Sequence, residues 1–330
     1  MTDRVITADT ESDEETILLD KSLRPRLFKD VIGRKREVKN LKILIDAANM
    51  RNEPIDHVLL HGPPGLGKTS LAYVIANEAK VPIYTTSGPA IERKADLAAI
   101  LSNLEEKSIL FIDEIHRLNR SLEEILYSAM EDSTIDIVIG KGPSARTLKL
   151  ELNKFSLIGA TTREGMLSSP LRDRFGVDMH LDYYDYDDLA LLVIQKAKLL
   201  DIEITEDAAH EIAKRSRRTP RIAQRLLKRV RDYAQSTSST KIDVESVRNT
   251  LNLLGIDKHG LDNLDKKILR IMVKNFKGGP VGINTIAASL SEDRDTIENV
   301  YEPFLLKEGF IMRTARGRVV SEKVYDILDL

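Results

Sequence analysis

The sequence predicts an α/β protein that begins with a mostly parallel sheet and continues into a helical domain and a winged-helix domain. Residues 57–79 read as an apolar strand, a glycine-rich turn and a helix. Two further apolar runs, 108–118 and 155–163, end in polar residues, as expected of buried strands in a parallel sheet. After about residue 255 the pattern changes to three helices and a strand–turn–strand.

The composition indicates a soluble, folded protein of two or three domains. The chain has 330 residues, of which 42% are hydrophobic and 31% are charged. It has no cysteine, which excludes disulfides, thiolate nucleophiles and cysteine metal sites, so we expect a cytoplasmic location. The net charge is −2, so any nucleic-acid site must be a local basic surface.

The amino terminus is acidic and lacks the apolar segment of a signal peptide. We therefore expect residues 1–19 to form a flexible tail. No apolar run approaches the roughly 20 residues that a membrane-spanning helix needs, so no membrane association is expected.

The turn after the first strand fits the pattern G-x-x-x-x-G-K-[ST], with Gly62, Gly67, Lys68 and Thr69. Glycines allow backbone N–H groups to close around phosphate oxygens, and the following helix directs its positive end toward them. Lys68 would reach the β- and γ-phosphates, and the Thr69 hydroxyl would bind Mg²⁺. A glycine-rich turn without a ligand is the alternative, and the flanking strand and helix disfavour it.

The second strand ends in Asp113 and Glu114. A carboxylate at the end of a parallel strand beside a P-loop can hold the Mg²⁺ water shell, and the next one can polarise an attacking water. This pair predicts a hydrolase rather than a simple nucleotide-binding protein. His116 follows, and we favour a packing or relay role for it over catalysis.

The third strand leads through Thr161 and Thr162 to an arginine-rich segment, SSPLRDRFG (168–176). Strand alternation allows only one of the two threonines to face the phosphate site. Arg172 and Arg174 are costly to bury at such a position, which raises the question of which anion they bind.

Two other segments have open interpretations. Residues 135–152 alternate around GKGPSA, which predicts a β-hairpin, either packed on the core or exposed for a partner. Residues 211–231 are rich in lysine and arginine, which fits either a DNA-facing surface or, as we favour, a helical domain with one nucleotide-sensing arginine.

The carboxyl-terminal pattern predicts a winged helix, a common DNA-binding module that also serves as a protein-interaction module. Arg313, Arg316 and Arg318 cluster on the predicted wing. Alternation puts Arg316 and Arg318 on one face if the turn ends before them. Such arginines bind phosphates without reading sequence.

Taken in order, the P-loop, DEIH (113–116), ATTR (160–163) and PLRDRF (170–175) resemble the AAA+ ATPases. Further segments resemble the bacterial RuvB family, which drives branch migration of Holliday junctions in homologous recombination and DNA repair. They are LRPRLFKDVIG, HGPPGLGKTSLA, AMEDSTIDIVIGKGPSARTLKLEL, RSRRTPRIAQRLLKRVRDYA and YEPFLLKEGFIMRTARGRVV. The resemblance covers about residues 20–325, and the ordered set is more specific than any single motif.

The resemblance implies an AAA+ P-loop NTPase core at 20–182, a helical lid at 183–255 and a winged helix at 256–330. It also implies roles for individual residues. The catalytic set is Lys68, Asp113, Glu114, Thr162 at the sensor-1 position and Arg174 as the arginine finger of a neighbouring subunit, with Thr69 and Asp113 as metal ligands. The ATP-binding set is Leu23, Arg24, Gly65, Gly67, Lys68, Thr69, Ser70, Glu131, Asp132, Ser133, Arg174, Tyr184 and Arg221.

Arg172 is the alternative finger, although we expect it to pair with Asp173 or another acid. The family pattern assigns DNA contact to Arg294, Arg313 and Arg318. The chain departs from that pattern at Ser133, where an aromatic residue is usual, and at Ala315, where proline is usual.

The implied function is that of a hexameric ATPase that moves double-stranded DNA at Holliday junctions. Its implied cofactors are ATP and Mg²⁺, and its implied partners are RuvA, docked on the 135–152 hairpin, and RuvC. Two other functions share parts of this pattern. A clamp-loader-like ATPase usually lacks a winged helix, and an origin-binding switch would bind one DNA site and hydrolyse ATP slowly.

Overall fold

The computed structural model describes residues 23–139, 146–237 and 241–328. The predicted tail at 1–19 and the hairpin turn at 140–145 lie outside the described residues. The chain divides into two compact units, Met1–Asp182 and Tyr183–Leu330. Within the described ranges, no helix has the length and apolar character needed to cross a bilayer.

The described part of the first unit contains a five-stranded parallel sheet in the order β2-β3-β6-β1-β7. β1 and β6 are almost completely buried, which explains why both read as continuous apolar runs rather than alternating ones. The strands are β1 (Val58–His61), β2 (Ile83–Ser87), β3 (Ile109–Asp113), β6 (Ser156–Thr161) and β7 (Val177–His180).

The helices of this unit connect the strands and bury one apolar side each. The fourth begins where the Asn119 side chain accepts a hydrogen bond from the Leu122 N–H and so caps the helix. The helices are α1 (Lys35–Arg51), α2 (Lys68–Ala79), α3 (Lys94–Ser102), α4 (Arg120–Asp132) and α5 (Ser169–Arg172). One apolar cluster joins residues of α3 and α4 to the sheet.

The predicted hairpin is confirmed as two antiparallel strands, β4 (Thr134–Ile139) and β5 (Arg146–Glu151). The resemblance implies an exposed face formed by Ile135, Ile137, Ile139 and Leu148 or Leu150, and this expectation is wrong at Ile135. Ile135 is only 2% exposed, and it joins the apolar cluster of the sheet together with its partly buried partner Leu150. Leu148 is 52% exposed. The base of the hairpin is therefore part of the core, and the exposed apolar surface begins farther out.

The second unit opens with four helices and a two-residue parallel ladder. Thr205 and Asp243 cap two of the helices with side-chain oxygens. The helices are α6 (Tyr186–Leu199), α7 (Glu206–Lys214), α8 (Pro220–Ser236) and α9 (Val244–Leu253), and the ladder pairs β8 (Glu203–Ile204) with β9 (Lys241–Ile242).

Most arginines of the basic stretch at 211–231 have acidic partners inside the second unit. Arg215 pairs with Glu211 at 2.6 Å, and Arg218 pairs with Asp185 at 3.0 Å. Arg229 and Arg231 both contact Asp232. This pairing favours a helical domain with a structural charge network over a continuous DNA-facing surface.

The rest of the second unit is the predicted winged helix. Its elements are α10 (Asn263–Phe276), α11 (Ile283–Leu290), α12 (Arg294–Thr296), the π-helical turn Ile297–Tyr301, α13 (Glu302–Lys307), β10 (Ile311–Thr314), β11 (Gly317–Val320) and α14 (Lys323–Ile327). The π turn lies just before Glu302 and Pro303 at the start of α13, and the missing N–H of Pro303 interrupts the α-helical hydrogen-bond ladder.

The wing turn does not end before Arg316, which was the condition for Arg316 and Arg318 to share a strand face. β10 pairs with β11 from Ile311↔Val320 to Thr314↔Gly317, so Arg316 lies in the turn itself. It therefore does not share a strand face with Arg318. Instead, Arg313 and Arg318 are directly opposite each other across the two strands. The boundary at 255 and 256 remains a prediction, because both segments belong to one compact unit.

A buried ion cluster connects the α7–α8 loop to the winged helix. One Arg217 nitrogen lies 2.6 Å from Asp262 and 2.5 Å from Asp265, which is fully buried. Burial raises the pKa of Asp265 to about 7, against the lowering effect of Arg217. One guanidinium thus serves two carboxylates, and the buried one retains its proton well above the usual range.

We predict that the stability of this unit falls as pH rises through 7. An acid whose folded pKa is raised stabilises the fold fully below its unfolded pKa, about 3.9, and this contribution is lost as pH rises through the folded value. The free energy of unfolding should fall by at most about 1.4 kcal/mol per pH unit. Asp265→Asn should make the free energy of unfolding less dependent on pH.

The measurement is urea unfolding at pH 5, 6, 7 and 8, read by hydrogen exchange of peptides covering 262–276 after a labelling pulse at one fixed pH. Glu203→Gln, in an exposed ion pair with Lys241, is the matched control and should keep the slope. An unchanged slope in Asp265→Asn would contradict the assignment.

Candidate functional site

The glycine-rich loop joins the end of β1 to the start of α2, as predicted. Gly62 has φ +135°, and a Cβ built on it would lie 2.2 Å from the carbonyl oxygen of Leu181. Gly67 has φ +91° and precedes α2, but a Cβ there would meet nothing within 4 Å. Gly62 is therefore required by close backbone packing, whereas the space at Gly67 is open for a ligand at the helix N-terminus.

Lys68 is buried at the start of α2. Its ammonium donates hydrogen bonds to the carbonyl oxygens of Gly62 at 2.7 Å and Pro63 at 2.9 Å. The charge is thus held within the loop whose N–H groups are suited to phosphate. Because a lysine ammonium has three donors, it can turn from these carbonyls to phosphate oxygens.

Thr69 and Asp113 meet although they lie 44 residues apart. The Thr69 hydroxyl donates to the Asp113 carboxylate at 3.1 Å. Asp113 ends β3, which is separated from β1 by β6. A hydroxyl from the first turn of α2 and a carboxylate from the end of β3 are hard oxygen ligands of the kind Mg²⁺ prefers. The residues present therefore fit the predicted Mg²⁺·nucleotide site.

Glu114 follows Asp113 in a left-handed conformation, with φ 49°. Its backbone N–H donates to Asp113, and its carboxylate accepts a hydrogen bond from Arg117 at 3.2 Å. Both side chains of this pair are well exposed, so the interaction is weak and easily exchanged. The partner Arg117 was not anticipated from the sequence.

The two threonines at the end of β6 have different environments, as strand alternation predicts. Thr161 is buried, and its hydroxyl oxygen lies 3.0 Å from His116 Nδ1 and accepts the Arg163 N–H. Thr162 is exposed. Burial lowers the pKa of His116. The contact joins the loop after β3 to the loop after β6, which agrees with a packing or relay role for His116.

Arg174 lies against α4 rather than against the phosphate loop. Its guanidinium donates to the Tyr127 hydroxyl at 2.7 Å, pairs with Glu131 at 2.6 Å and stacks over the Tyr127 ring. Hydrogen bonding to Tyr127 raises the pKa of Arg174. Asp132 follows Glu131 on α4, and Ser133 ends the helix in a left-handed conformation. The structure thus brings the predicted finger into contact with Glu131, a predicted ATP contact, and the other two follow Glu131 in the chain.

Tyr127 is a residue that the sequence analysis missed. It precedes Glu131 by one helical turn, so the two lie on the same side of α4, and this spacing is the signal that could have identified it. Arg172 pairs with Glu164 at 3.7 Å. Its expected acidic partner is therefore present, though it is not the neighbouring Asp173.

The remaining predicted nucleotide contacts are spread over both units. Leu23 is buried, and Arg24 lies over the ring of Tyr73 on α2. Ser70 lies in the first turn of α2, and Gly65 lies in the loop with φ +79°. In the second unit, Tyr184 is buried, and Arg221 is exposed in the first turn of α8 after Pro220.

The three predicted DNA contacts lie around two glutamates, Glu298 of the π-helical turn and Glu302 of α13. Both Arg313 and Arg318 hold Glu302, which is 2% exposed, with shortest distances of 2.9 Å and 2.7 Å. Arg294 pairs with Glu298 at 3.3 Å. The Arg313 side chain is 54% exposed and that of Arg318 is 13% exposed. Arg313 is thus available to a ligand, whereas Arg318 mainly holds the wing to the helix.

The charge of Glu302 is central to this arrangement. Burial alone would raise the pKa of Glu302, but hydrogen bonds from Arg318 and Arg313 outweigh burial and leave the pKa below its usual value. A buried glutamate that retains its charge anchors both wing strands. Nothing in the wing sequence indicated it, since Glu302 lies on the preceding helix.

Family models match three consecutive parts of the chain. Residues 23–181 match the Holliday junction DNA helicase RuvB P-loop domain. Residues 184–257 match the RuvB AAA lid domain, and residues 258–329 match the RuvB C-terminal winged helix domain.

Individual relatives agree with these matches. The Holliday junction branch migration complex subunit RuvB of Fusobacterium nucleatum is 56% identical over 309 residues, which are 94% of this chain and 93% of that protein. The structure of the Thermotoga maritima RuvB Holliday junction branch migration motor is 48% identical, with a TM-score of 0.86 over 93% of this chain and 98% of that one. A mutant of the Thermotoga protein has the same TM-score and coverage at 49% identity. This chain belongs to the RuvB family of AAA+ P-loop ATPases.

Proposed function

We propose that this chain is an ATP-driven motor that moves double-stranded DNA and thereby catalyses branch migration of Holliday junctions. The observation that carries the proposal is the position of Arg174. Its guanidinium contacts Tyr127 and Glu131 on α4 rather than Lys68, Thr69 or Asp113 of the phosphate site. This arrangement suits a finger that completes the site of a neighbouring subunit in a hexameric ring.

Several residues of one chain have separate roles at the nucleotide. Lys68 binds the β- and γ-phosphates, while Thr69 and Asp113 would hold Mg²⁺, which would supply positive charge to the phosphate oxygens. Glu114 orients the attacking water and accepts its proton once the carboxylate leaves Arg117. Thr162 contacts the γ-phosphate or the water. The exposure of Thr162 and the weak pairing of Glu114 support these roles.

The neighbouring subunit supplies a further positive charge to the γ-phosphate. Arg174 leaves Glu131 and grips γ-phosphate oxygens, because a guanidinium offers fixed donors that match a phosphate. Glu131, Asp132 and Ser133 then lie at the edge of that neighbour's site. Leu23, Arg24 and Tyr184 pack on the nucleotide of their own chain, and Arg221 senses its phosphate state. Loss of phosphate rotates the lid, at 183–255, and moves the winged helix with its DNA.

Two surfaces of the chain bind its partners, the hairpin and the winged helix. RuvA docks on the outer part of the 135–152 hairpin, which the exposed Leu148 supports, while Ile135 is excluded by its burial. DNA contacts the winged helix through Arg294, Arg313 and the wing. RuvC joins the same junction complex. We place the protein in the cytoplasm, where its substrate, chromosomal DNA undergoing recombination and repair, is found in bacteria.

We predict that Arg174→Ala abolishes junction migration and that Arg172→Ala does not. Removal of an arginine finger lowers ATP hydrolysis by about 10³- to 10⁵-fold. Arg172 makes only a half-exposed contact with Glu164, so its loss should be nearly neutral. The measurement is conversion of a labelled four-way junction to duplex products with Mg²⁺ and ATP, with and without RuvA.

The same assay separates the alternative functions. Robust ATP hydrolysis without junction movement in the presence of a matched RuvA would favour a clamp-loader-like ATPase. Tight binding to one defined DNA sequence with slow hydrolysis would favour an origin-binding switch. A motor should show little sequence preference and a steep dependence on salt.

A second prediction distinguishes the two wing arginines. Arg313→Ala should weaken duplex binding and reduce the slope of log affinity against log salt by about 1, because one phosphate contact is lost. It should leave the fold nearly unchanged, since the side chain is half exposed. Arg318→Ala should destabilise the winged helix by about 3 kcal/mol, because the buried Glu302 loses its closest partner.

The measurements are duplex binding at several salt concentrations and unfolding of each variant. Arg316→Ala, in the exposed turn, is the matched control for wing charge. Equal loss of stability in Arg313→Ala and Arg318→Ala would contradict the division of roles.

A further inference from the structure

A cavity of about 240 Å³ lies inside the second unit. We call it the arginine cavity, because four arginines and a single acid line it: Arg215, Arg217, Arg225, Arg229 and Asp262. Its walls are helix α8, the loop before that helix, and the segment 254–262 that leads into the winged helix. Arg221, the predicted nucleotide sensor, does not line it.

One face of α8 forms a wall of the arginine cavity. Ile222, Arg225, Leu226 and Arg229 are spaced at three, four and seven residues, which places them on the same side of the helix. Arg225 and Arg229 are therefore neighbours one turn apart, and like charges at this spacing destabilise a helix. An anion held between the two guanidinium groups would offset that repulsion.

The charges of Arg225 and Arg229 are poorly neutralised within the chain. Arg225 is exposed and forms no ion pair with another described residue. Arg229 lies 3.3 Å from Asp232, but the two side chains are 63% and 42% exposed, so this contact is weak. Two guanidinium groups on one helix face are thus available to a ligand.

Arg215 adds an unsatisfied donor to the wall. Its Nη2 atom lies 2.6 Å from Glu211, whereas its Nη1 atom is buried and has no hydrogen-bond partner among the described residues. Buried polar groups almost always have such a partner, because a buried donor left without one is costly. The positive charge of Arg215 is therefore only partly compensated by Glu211.

The one acid of the lining does not neutralise these three arginines. Asp262 lies 2.6 Å from Arg217, and the same nitrogen of Arg217 also contacts the buried Asp265. The Arg217 charge and the Asp262 charge are thus engaged in the ion cluster described above. The arginine cavity retains an excess of positive charge, which neither this cluster nor the predicted nucleotide contacts explain.

Phosphate is the anionic group that best fits such a lining. A guanidinium binds phosphate oxygens with two parallel hydrogen bonds, and several guanidinium groups together suit a ligand with more than one negative charge. Leu254 and Ile256 add an apolar side that can hold the organic part of a ligand. The volume lies just below the usual range for drug-sized ligands, about 300–1,000 Å³, so the ligand must be small.

We propose that the arginine cavity binds a small anion with two or more phosphate groups, with Arg225 and Arg229 as its direct ligands and Arg215 as a supporting charge. A phosphodiester of duplex DNA carries a single charge and remains tied to its backbone, so a cavity with several guanidinium groups suits a free polyphosphate better. The bound anion would connect α8 to the segment 254–262 and stabilise the junction between the helical domain and the winged helix.

The test is calorimetric titration of the full chain with inorganic diphosphate in the absence of Mg²⁺ and nucleotide. The phosphate loop should also bind this probe, so the cavity is measured in Lys68→Ala, in which the loop has lost its ammonium. Lys68→Ala should bind one equivalent. Addition of Arg225→Gln or Arg229→Gln should lower that affinity about 10- to 100-fold, because one charged hydrogen-bonding partner is lost.

Arg231→Gln is the matched control. Arg231 lies on the same helix and contacts Asp232 at 2.9 Å, but it does not line the cavity, so its loss should leave the diphosphate affinity unchanged. Hydrogen exchange gives a local second readout. Diphosphate should slow exchange in peptides covering 254–262 of the wild type and of Arg231→Gln, but not of Arg225→Gln.

Three results would overturn the proposal. The first is absence of diphosphate binding to Lys68→Ala. The second is an affinity that stays the same when Arg225→Gln is added. The third is displacement of bound diphosphate from Lys68→Ala by an equimolar short DNA duplex, which would assign these arginines to the DNA backbone instead.

Discussion

The position of β1 between β6 and β7 is the constraint on which the rest of the site depends. Hydrogen bonds on both sides fix the end of this strand, and the close approach of Gly62 to the Leu181 carbonyl fixes the first residue of the loop. The loop then has one direction in which to enter α2. Lys68 and Thr69 are therefore placed by backbone pairing, and Asp113 is brought to Thr69 by the parallel order of the strands.

Under the proposed function, the site built on this frame is only part of an active site. Lysine, hydroxyl and carboxylate groups for a Mg²⁺·nucleotide lie together, whereas the predicted finger is stacked on Tyr127 and paired with Glu131. These contacts hold a charged, partly buried guanidinium in place. An arginine held in this way loses little when it exchanges a carboxylate for a phosphate of a neighbour. The contact between subunits and ATP hydrolysis would then both depend on Arg174.

The sequence was sufficient for the parts that local patterns specify. The P-loop, the polar ends of buried strands and the change of pattern after 255 predicted the fold, and the ordered motifs predicted the family. It was not sufficient where distant side chains meet. The burial of Ile135 and the ion pairs of Arg313 and Arg318 with Glu302 both arise from tertiary packing. Periodicity shows which residues share a face, but it does not show what covers that face.

The most direct test of the central claim is to mix two inactive variants. Lys68→Ala lacks its own phosphate ligand, and Arg174→Ala lacks the finger that it would give to a neighbour. If the finger acts between subunits, a site on an Arg174→Ala chain regains its arginine from an adjacent Lys68→Ala chain. We predict that DNA-stimulated ATP hydrolysis, nearly absent in each preparation, returns when the two are mixed and assembled. Absence of recovery in mixed assemblies, or full activity of Arg174→Ala alone, would contradict the account.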